Sequence, residues 1–218
     1  MDTSKLTNAT ETIERSGVVC ITRMDDQELI LNICDALYSG GVRCFEIPLT
    51  THHAPEIIAK LQTRLNGDSA VGAGTVLTAE AAEAVIDAGA GFVVSPHFEP
   101  EVAVACQARS VAFIPGAFTP AEIFRAWSAG ADIVKVFPIR PLGPSYLSDV
   151  LGPYPGLKLM PTGGITLDNA SSFIKAGACA VTVGRDLIGG GPWNAEAFAG
   201  ITQRARNLIT KISSARLG

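Results

Sequence analysis

The sequence predicts an α/β protein folded as a single (β/α)8, or TIM, barrel with a short N-terminal helix. Three observations carry that expectation. Eight short apolar runs recur at intervals of about 22 residues, the length of one strand, one loop and one short helix. The stretches between them show helical spacing of their apolar positions. Glycines also punctuate the boundaries at a repeating interval. A doubly wound open sheet is the alternative, but it has no reason to repeat eight times, and the chain lacks the glycine fingerprint of a dinucleotide-binding turn.

The 218 residues read as one domain, 1–218, with 1–16 as a helical lead-in. That lead-in is polar and has no apolar segment before a cleavage site, which argues against export. The apolar runs are 18–22, 42–48, 70–73, 91–95, 112–115, 133–138, 158–161 and 180–183. After the first, residues 26–39 place Leu29, Ile30, Ile33 and Leu37 at helical spacing. After the third, Thr78-Ala79-Glu80-Ala81 opens an Ala- and Glu-rich helix running to residue 88. After the fifth, Thr119-Pro120-Ala121-Glu122 offers an N-cap, a proline at the first helical position and an acidic first turn. Residues 168–175 follow a similar pattern. Gly41, Gly89, Gly130 and Gly177 each end a helix and lead into a strand, and they stand 48, 41 and 47 residues apart. The repeat unit is therefore a pair of strand–helix units, and eight units make the barrel.

Composition bounds the function. With 47% hydrophobic and 17% charged residues the chain has a large core and lies far from the disordered class. A net charge of −4 argues against nucleic-acid or anionic-membrane partners, and no apolar run is long enough to span a bilayer. Cys20, Cys34, Cys44, Cys106 and Cys179 are scattered and odd in number. Those within apolar runs read as small buried hydrophobes of a reducing cytoplasm. No clustered ligands suggest a metal, since the adjacent His52 and His53 point apart and His97 is remote in sequence.

The chemistry centres on Lys135, inside the run Ala131-Asp132-Ile133-Val134-Lys135-Val136-Phe137-Pro138. Desolvation disfavours an ammonium, and a neutral amine attacks carbonyls to form Schiff bases. The plainer reading is a strand-end lysine that snorkels to solvent. The repeat weighs on this choice. Five positions after the repeat glycines stand Glu46, Val94, Lys135 and Thr182, and equal offsets imply equal facing because strand side chains alternate with period two. Glu46 and Lys135 should share the lumen near its C-terminal mouth, where barrel enzymes keep catalytic groups. A simple buried ion pair is the alternative, but such pairs add little net stability and perturbed groups in clefts favour active sites. Small residues in Gly72-Ala73-Gly74-Thr75 let a ligand approach the backbone, or make a tight turn capped by Thr75. Gly163 and Gly164 follow the seventh run and Gly184-Arg185 the eighth, the ordinal positions of a barrel phosphate cradle. Arg185 reads as a bidentate phosphate contact or a surface arginine. Ser95, Ser145 and Thr166 have no base at a spacing that suggests a hydrolase triad.

Several motifs in order resemble the bacterial 2-keto-3-deoxy-6-phosphogluconate / 4-hydroxy-2-oxoglutarate aldolase family. They are Phe45-Glu46-Ile47-Pro48-Leu49, Gly72-Ala73-Gly74-Thr75-Val76-Leu77, Lys135-Val136-Phe137-Pro138, Gly143-Pro144-Ser145-Tyr146 and Pro161-Thr162-Gly163-Gly164-Ile165. The resemblance spans residues 17–210 and implies a class I aldolase without metal or other cofactor, a homotrimer acting on a keto acid, phosphorylated in many members. It makes Lys135 the Schiff-base lysine and Glu46 the acid/base acting through a water. It sets Thr75 and Thr162 beside pyruvate, and Gly163, Gly164 and Gly184 at the distal phosphate. Two positions depart from the family. Thr50 stands where an arginine usually grips the pyruvate carboxylate, and Arg185 stands where the phosphate loop usually has serine. Arg23 matches an arginine of relatives acting on the galactonate epimer and can supply the missing charge. The competing expectations are a sugar-phosphate isomerase using Glu46 as base, and a catalytically silent keto-acid-binding barrel.

Overall fold

The structure, a computed structural model, describes residues 9–217, so residues 1–8 of the expected lead-in lie outside it. Helix α1 (Ala9–Ser16) precedes β1 (Val18–Ile21), α2 (Gln27–Ser39), β2 (Cys44–Pro48), α3 (Ala54–Arg64), β3 (Ala70–Gly74), α4 (Ala79–Asp87), β4 (Phe92–Val94) and α5 (Pro100–Ala108). Then follow β5 (Ala112–Ile114), β6 (Gly116–Ala117), α6 (Pro120–Ser128), β7 (Val134–Val136), α7 (Ser145–Leu151), β8 (Leu159–Pro161), α8 (Ala170–Lys175), β9 (Val181–Val183), α9 (Arg185–Ile188) and α10 (Ala195–Leu217).

Every ladder is parallel, in two arcs ordered β5-β4-β3-β2-β1-β9 and β6-β7-β8. The fifth apolar run, 112–115, forms β5 and ends at Pro115, which has no N–H to give a ladder. The extended chain resumes just beyond the run as β6: β5 pairs with β4, and β6 with β7. The Pro115 carbonyl nonetheless accepts the Lys135 N–H at 2.9 Å. On the far side, the Cys179 N–H reaches the Leu159 carbonyl at 3.0 Å, and Thr162 bridges to Thr182. With β5 and β6 as one stave, eight staves close the barrel.

The period of two divides each strand between two cores. Val18, Cys20, Phe45, Ile47, Val71, Ala73, Val134 and Val136 face outward into the layer shared with the helices. Val19, Cys44, Ala70, Phe92, Val94, Ile114, Ile133, Met160 and Ala180 form the interior. Ala9 and Ile13 of α1 join that interior cluster, so the N-terminal helix closes the end where the strands begin. α10 packs along α2 and α8, and the Thr202 hydroxyl donates to the Ala36 carbonyl at 2.9 Å.

The repeat glycines have a shared physical cause. Gly41, Gly89, Gly130 and Gly177 have φ of 99°, 98°, 91° and 101°, the left-handed region that glycine alone enters cheaply. In each case the glycine N–H and the next N–H turn back onto carbonyls of the last helical turn, as in Gly41 to Tyr38 and Val42 to Leu37. α5 ends the same way through Ser110 and Val111, with Ser110 at φ 54°. The fifth copy of the motif escapes a search for glycine because serine occupies it.

Candidate active site

Interior apolar residues set the site's height. Glu46 stands two residues after Cys44, Lys135 two after Ile133, Thr162 two after Met160 and Thr182 two after Ala180, so all four face the lumen one layer above the apolar core. Glu46 is 0% exposed and Lys135 6%. Lys135 pairs in register with Gly116 and Met160, and Glu46 with Ile21 and Gly72. Lys135 Nζ lies 5.1 Å from the centroid of the Phe137 ring.

Neither carboxylate oxygen of Glu46 has a hydrogen-bond partner among the described residues. Burial raises its pKa above the ordinary value, while the charges of Lys135 and then Arg23 pull it back down. The side chain runs over Gly74, whose missing Cβ leaves the space the carboxylate occupies. The next residue, Thr75, sits at φ 58°. That is a rare setting for a β-branched residue, and such strain clusters at functional sites.

Above this layer opens a cavity of about 840 Å³. Ile21, the β1 partner of Glu46, and Phe137, whose ring lies beside Lys135, both line it, so the layer that holds Glu46 and Lys135 adjoins the cavity. Of the residues singled out in the sequence, Arg23, Thr162, Gly163, Gly164, Gly184 and Arg185 are on its walls. Thr75 is half-buried at the end of β3 and Thr50 is exposed in the turn after β2, and neither is on those walls. Phe137 and Arg140 are wall residues that the sequence reading did not single out. Phe137 could have been found from its offset of two from Lys135. Arg140 carried no local signal.

The glycine loops are braced. Gly163 and Gly164 have φ of 87° and 102°. The Asn169 side-chain amide donates to the Gly164 carbonyl at 3.0 Å and its oxygen accepts the Thr166 N–H at 2.8 Å. Asp186 reaches across from the other loop to accept the Leu167 N–H at 2.7 Å. The two loops are therefore one preorganised unit. No group of three His, Cys, Asp or Glu able to hold a metal occurs among the described residues, and no helix is long and apolar enough to cross a membrane. Burial pushes the thiols of Cys20, Cys44, Cys106 and Cys179 up to about 12, away from the reactive range.

Comparison with known proteins identifies a family. The profile of the family described as KDPG and KHG aldolase matches residues 9–204. A 2-dehydro-3-deoxy-phosphogluconate aldolase of Treponema pallidum is 39% identical over 165 residues, 75% of this chain and 78% of its own. A 2-dehydro-3-deoxy-6-phosphogalactonate aldolase of Escherichia coli is 30% identical over 70% of this chain and 75% of its own. Among solved structures, the KDPG aldolase of Legionella pneumophila, with pyruvate captured as a covalent carbinolamine, superposes with a TM-score of 0.82. It is 27% identical, over 92% of this chain and 97% of that one.

Proposed function

The chain belongs to the KDPG and KHG aldolase family, and from that premise we propose how its residues divide the reaction. It is a class I aldolase that cleaves a 2-keto acid to pyruvate and an aldehyde through a lysine Schiff base. We assign the Schiff base to Lys135. The observation that carries the assignment is its setting: among the described residues it is the one buried lysine, its charge acts on Glu46, and its neighbour Phe137 lines the main cavity.

In this reading the Lys135 amine attacks the substrate C2 carbonyl, and water leaves as a protonated imine forms. A proton leaves the C4 hydroxyl, the C3–C4 bond breaks, and its electron pair enters the imine to give an enamine as the aldehyde departs. Protonation at C3 and hydrolysis by one water release pyruvate and restore the lysine. Glu46 takes and returns the protons. Its raised pKa suits that exchange, because a carboxyl poised nearer neutrality both accepts and donates.

The substrate we propose is a 2-keto-3-deoxy sugar acid phosphorylated at its far end. Thr162 and Thr75 sit at the pyruvate end, and Arg23 grips the carboxylate in place of the uncharged Thr50. Arg23 is the cavity arginine whose charge Glu46 feels, which supports placing it near the reacting carbons. Gly163, Gly164, Gly184 and Arg185 receive the phosphate. We further propose a homotrimer, the assembly the family resemblance implies, working in the cytoplasm, where five free cysteines stay reduced.

Pyruvate with borohydride tests the central assignment. Reduction of the imine should inactivate the enzyme and leave a three-carbon adduct on the peptide containing Lys135. Lys135→Arg keeps the charge but cannot deprotonate, so it should abolish both adduct and turnover. An adduct on another lysine, or activity retained by Lys135→Arg, overturns the assignment.

A further inference from the structure

Three arginines stand on the walls of the main cavity: Arg23 after β1, Arg140 after β7 and Arg185 after β9. None makes an ion pair or a side-chain hydrogen bond among the described residues, whereas Arg43, Arg64 and Arg109 are paired with carboxylates and Arg204 with backbone carbonyls. The one acid beside them, Asp186, is committed to the Leu167 N–H. Among the described residues the walls carry three unpaired cations against one acid, a positive balance that suits an anion.

The three are not equivalent. Arg23 influences the Glu46 carboxyl, while Arg140 and Arg185 are not among the charges that do. Arg140 is tied to the glycine loop by contact: its Cβ, Cα and Cγ fill the space beside Gly164, with a Cβ on that glycine falling 2.8 Å from the arginine's own. Its guanidinium therefore leaves from the rim of the loop that Asn169 and Asp186 hold still. Arg185 stands beside Gly184 on the neighbouring loop, and α9 behind it is pinned by Arg204, which donates to the Leu187 and Ile188 carbonyls at 2.8 and 2.7 Å.

We propose that Arg140 and Arg185 form a two-guanidinium clamp for the substrate's distal group, and that Arg140 is a specificity-determining residue favouring a phosphate dianion over a carboxylate or a hydroxyl. Two forked donors on the walls of one cavity match the several oxygens and double charge of a phosphate. A single carboxylate fills one fork and a hydroxyl fills neither. The proposal rests on the aldolase reading above, and its test separates the two.

Pyruvate release is measured for Arg140→Gln, Arg185→Gln and Arg140→Lys with a 6-phosphorylated keto-deoxy acid, its unphosphorylated counterpart and 4-hydroxy-2-oxoglutarate. KM for the phosphorylated substrate rises about tenfold to a hundredfold in each glutamine variant, the loss of a charge-assisted contact. The preference for that substrate in kcat/KM falls by the same factor, with the effect in KM rather than kcat. Arg140→Lys recovers part of it. Calorimetric titration with inorganic phosphate alone shows the same weakening without any turnover. A preference ratio and a phosphate affinity that both stay within about twofold of wild type in Arg140→Gln overturn the clamp. That result leaves borohydride trapping at Lys135 intact, whereas failure of trapping sinks the aldolase assignment and leaves the phosphate titration standing.

Discussion

The carboxylate of Glu46 occupies the space that a side chain on Gly74 would fill. The two residues belong to neighbouring strands, and Gly74 pairs with Pro48, two residues beyond Glu46. Glycine is therefore required here for room, and the room determines where the acid points. Gly74→Ala places a methyl group against the end of a flexible side chain rather than against backbone, so the carboxylate swings aside and the fold survives. A displacement near 1 Å at a reacting group costs up to about a hundredfold. The expected result is a kcat lower by roughly ten- to a hundredfold with near-wild-type thermal unfolding. An unchanged kcat would show that Glu46 works from another position.

Glu46 also ties catalysis to stability. Its folded pKa is raised above the ordinary value of 4.5, by burial first. The folded chain thus favours the neutral acid more than water does. Its contribution is fully present below about 4.5 and is lost as pH rises through the raised value. Glu46→Gln keeps the neutral shape at every pH. Its Tm should match wild type in acid and exceed it by a growing margin toward pH 8, while kcat falls on the order of 10²–10⁴. A glutamine variant less stable than wild type at pH 8 contradicts the burial argument.

Arg23 is expected to hold the pyruvate carboxylate where Thr50 offers no charge. Removing a charge-assisted hydrogen bond costs about 1.5–3 kcal/mol. Arg23→Ala should raise KM for phosphorylated and unphosphorylated keto acids alike, because both carry that carboxylate. A rise confined to phosphorylated substrates would move Arg23 to the distal end of the cavity.

Ser110 takes the left-handed position at the end of α5 that glycine holds after α2, α4, α6 and α8. A residue with a Cβ pays about 1 kcal/mol there, partly offset by the greater freedom of unfolded glycine. Ser110→Gly should raise Tm by about 1–3 °C, a fraction of that energy in a chain of this length. Gly89→Ser at the matching turn should lower it. Calorimetry that finds both changes neutral would mean these turns relax freely.

The sequence alone determined what local periodicity can carry. Glycine at a helix end is demanded by the backbone angle at that one residue, so the repeat of Gly41, Gly89, Gly130 and Gly177 was legible, and with it the succession of strands. Period two put Glu46 and Lys135 on one side of their strands with no knowledge of the barrel's shape. Ser110 was missed because the angle persisted while its usual residue did not. Only the tertiary structure decided which loop residues meet. Arg140 enters the cavity because the rim brings the loop after β7 against Gly164, 24 residues further along the chain, and nothing in the spacing of the sequence encodes that contact. The same closure left Thr50 outside the cavity wall and placed β5 and β6, on either side of Pro115, against different partners. Alternation within a strand is a property of neighbouring residues, whereas the walls of a cavity are set by the loops that barrel closure brings together.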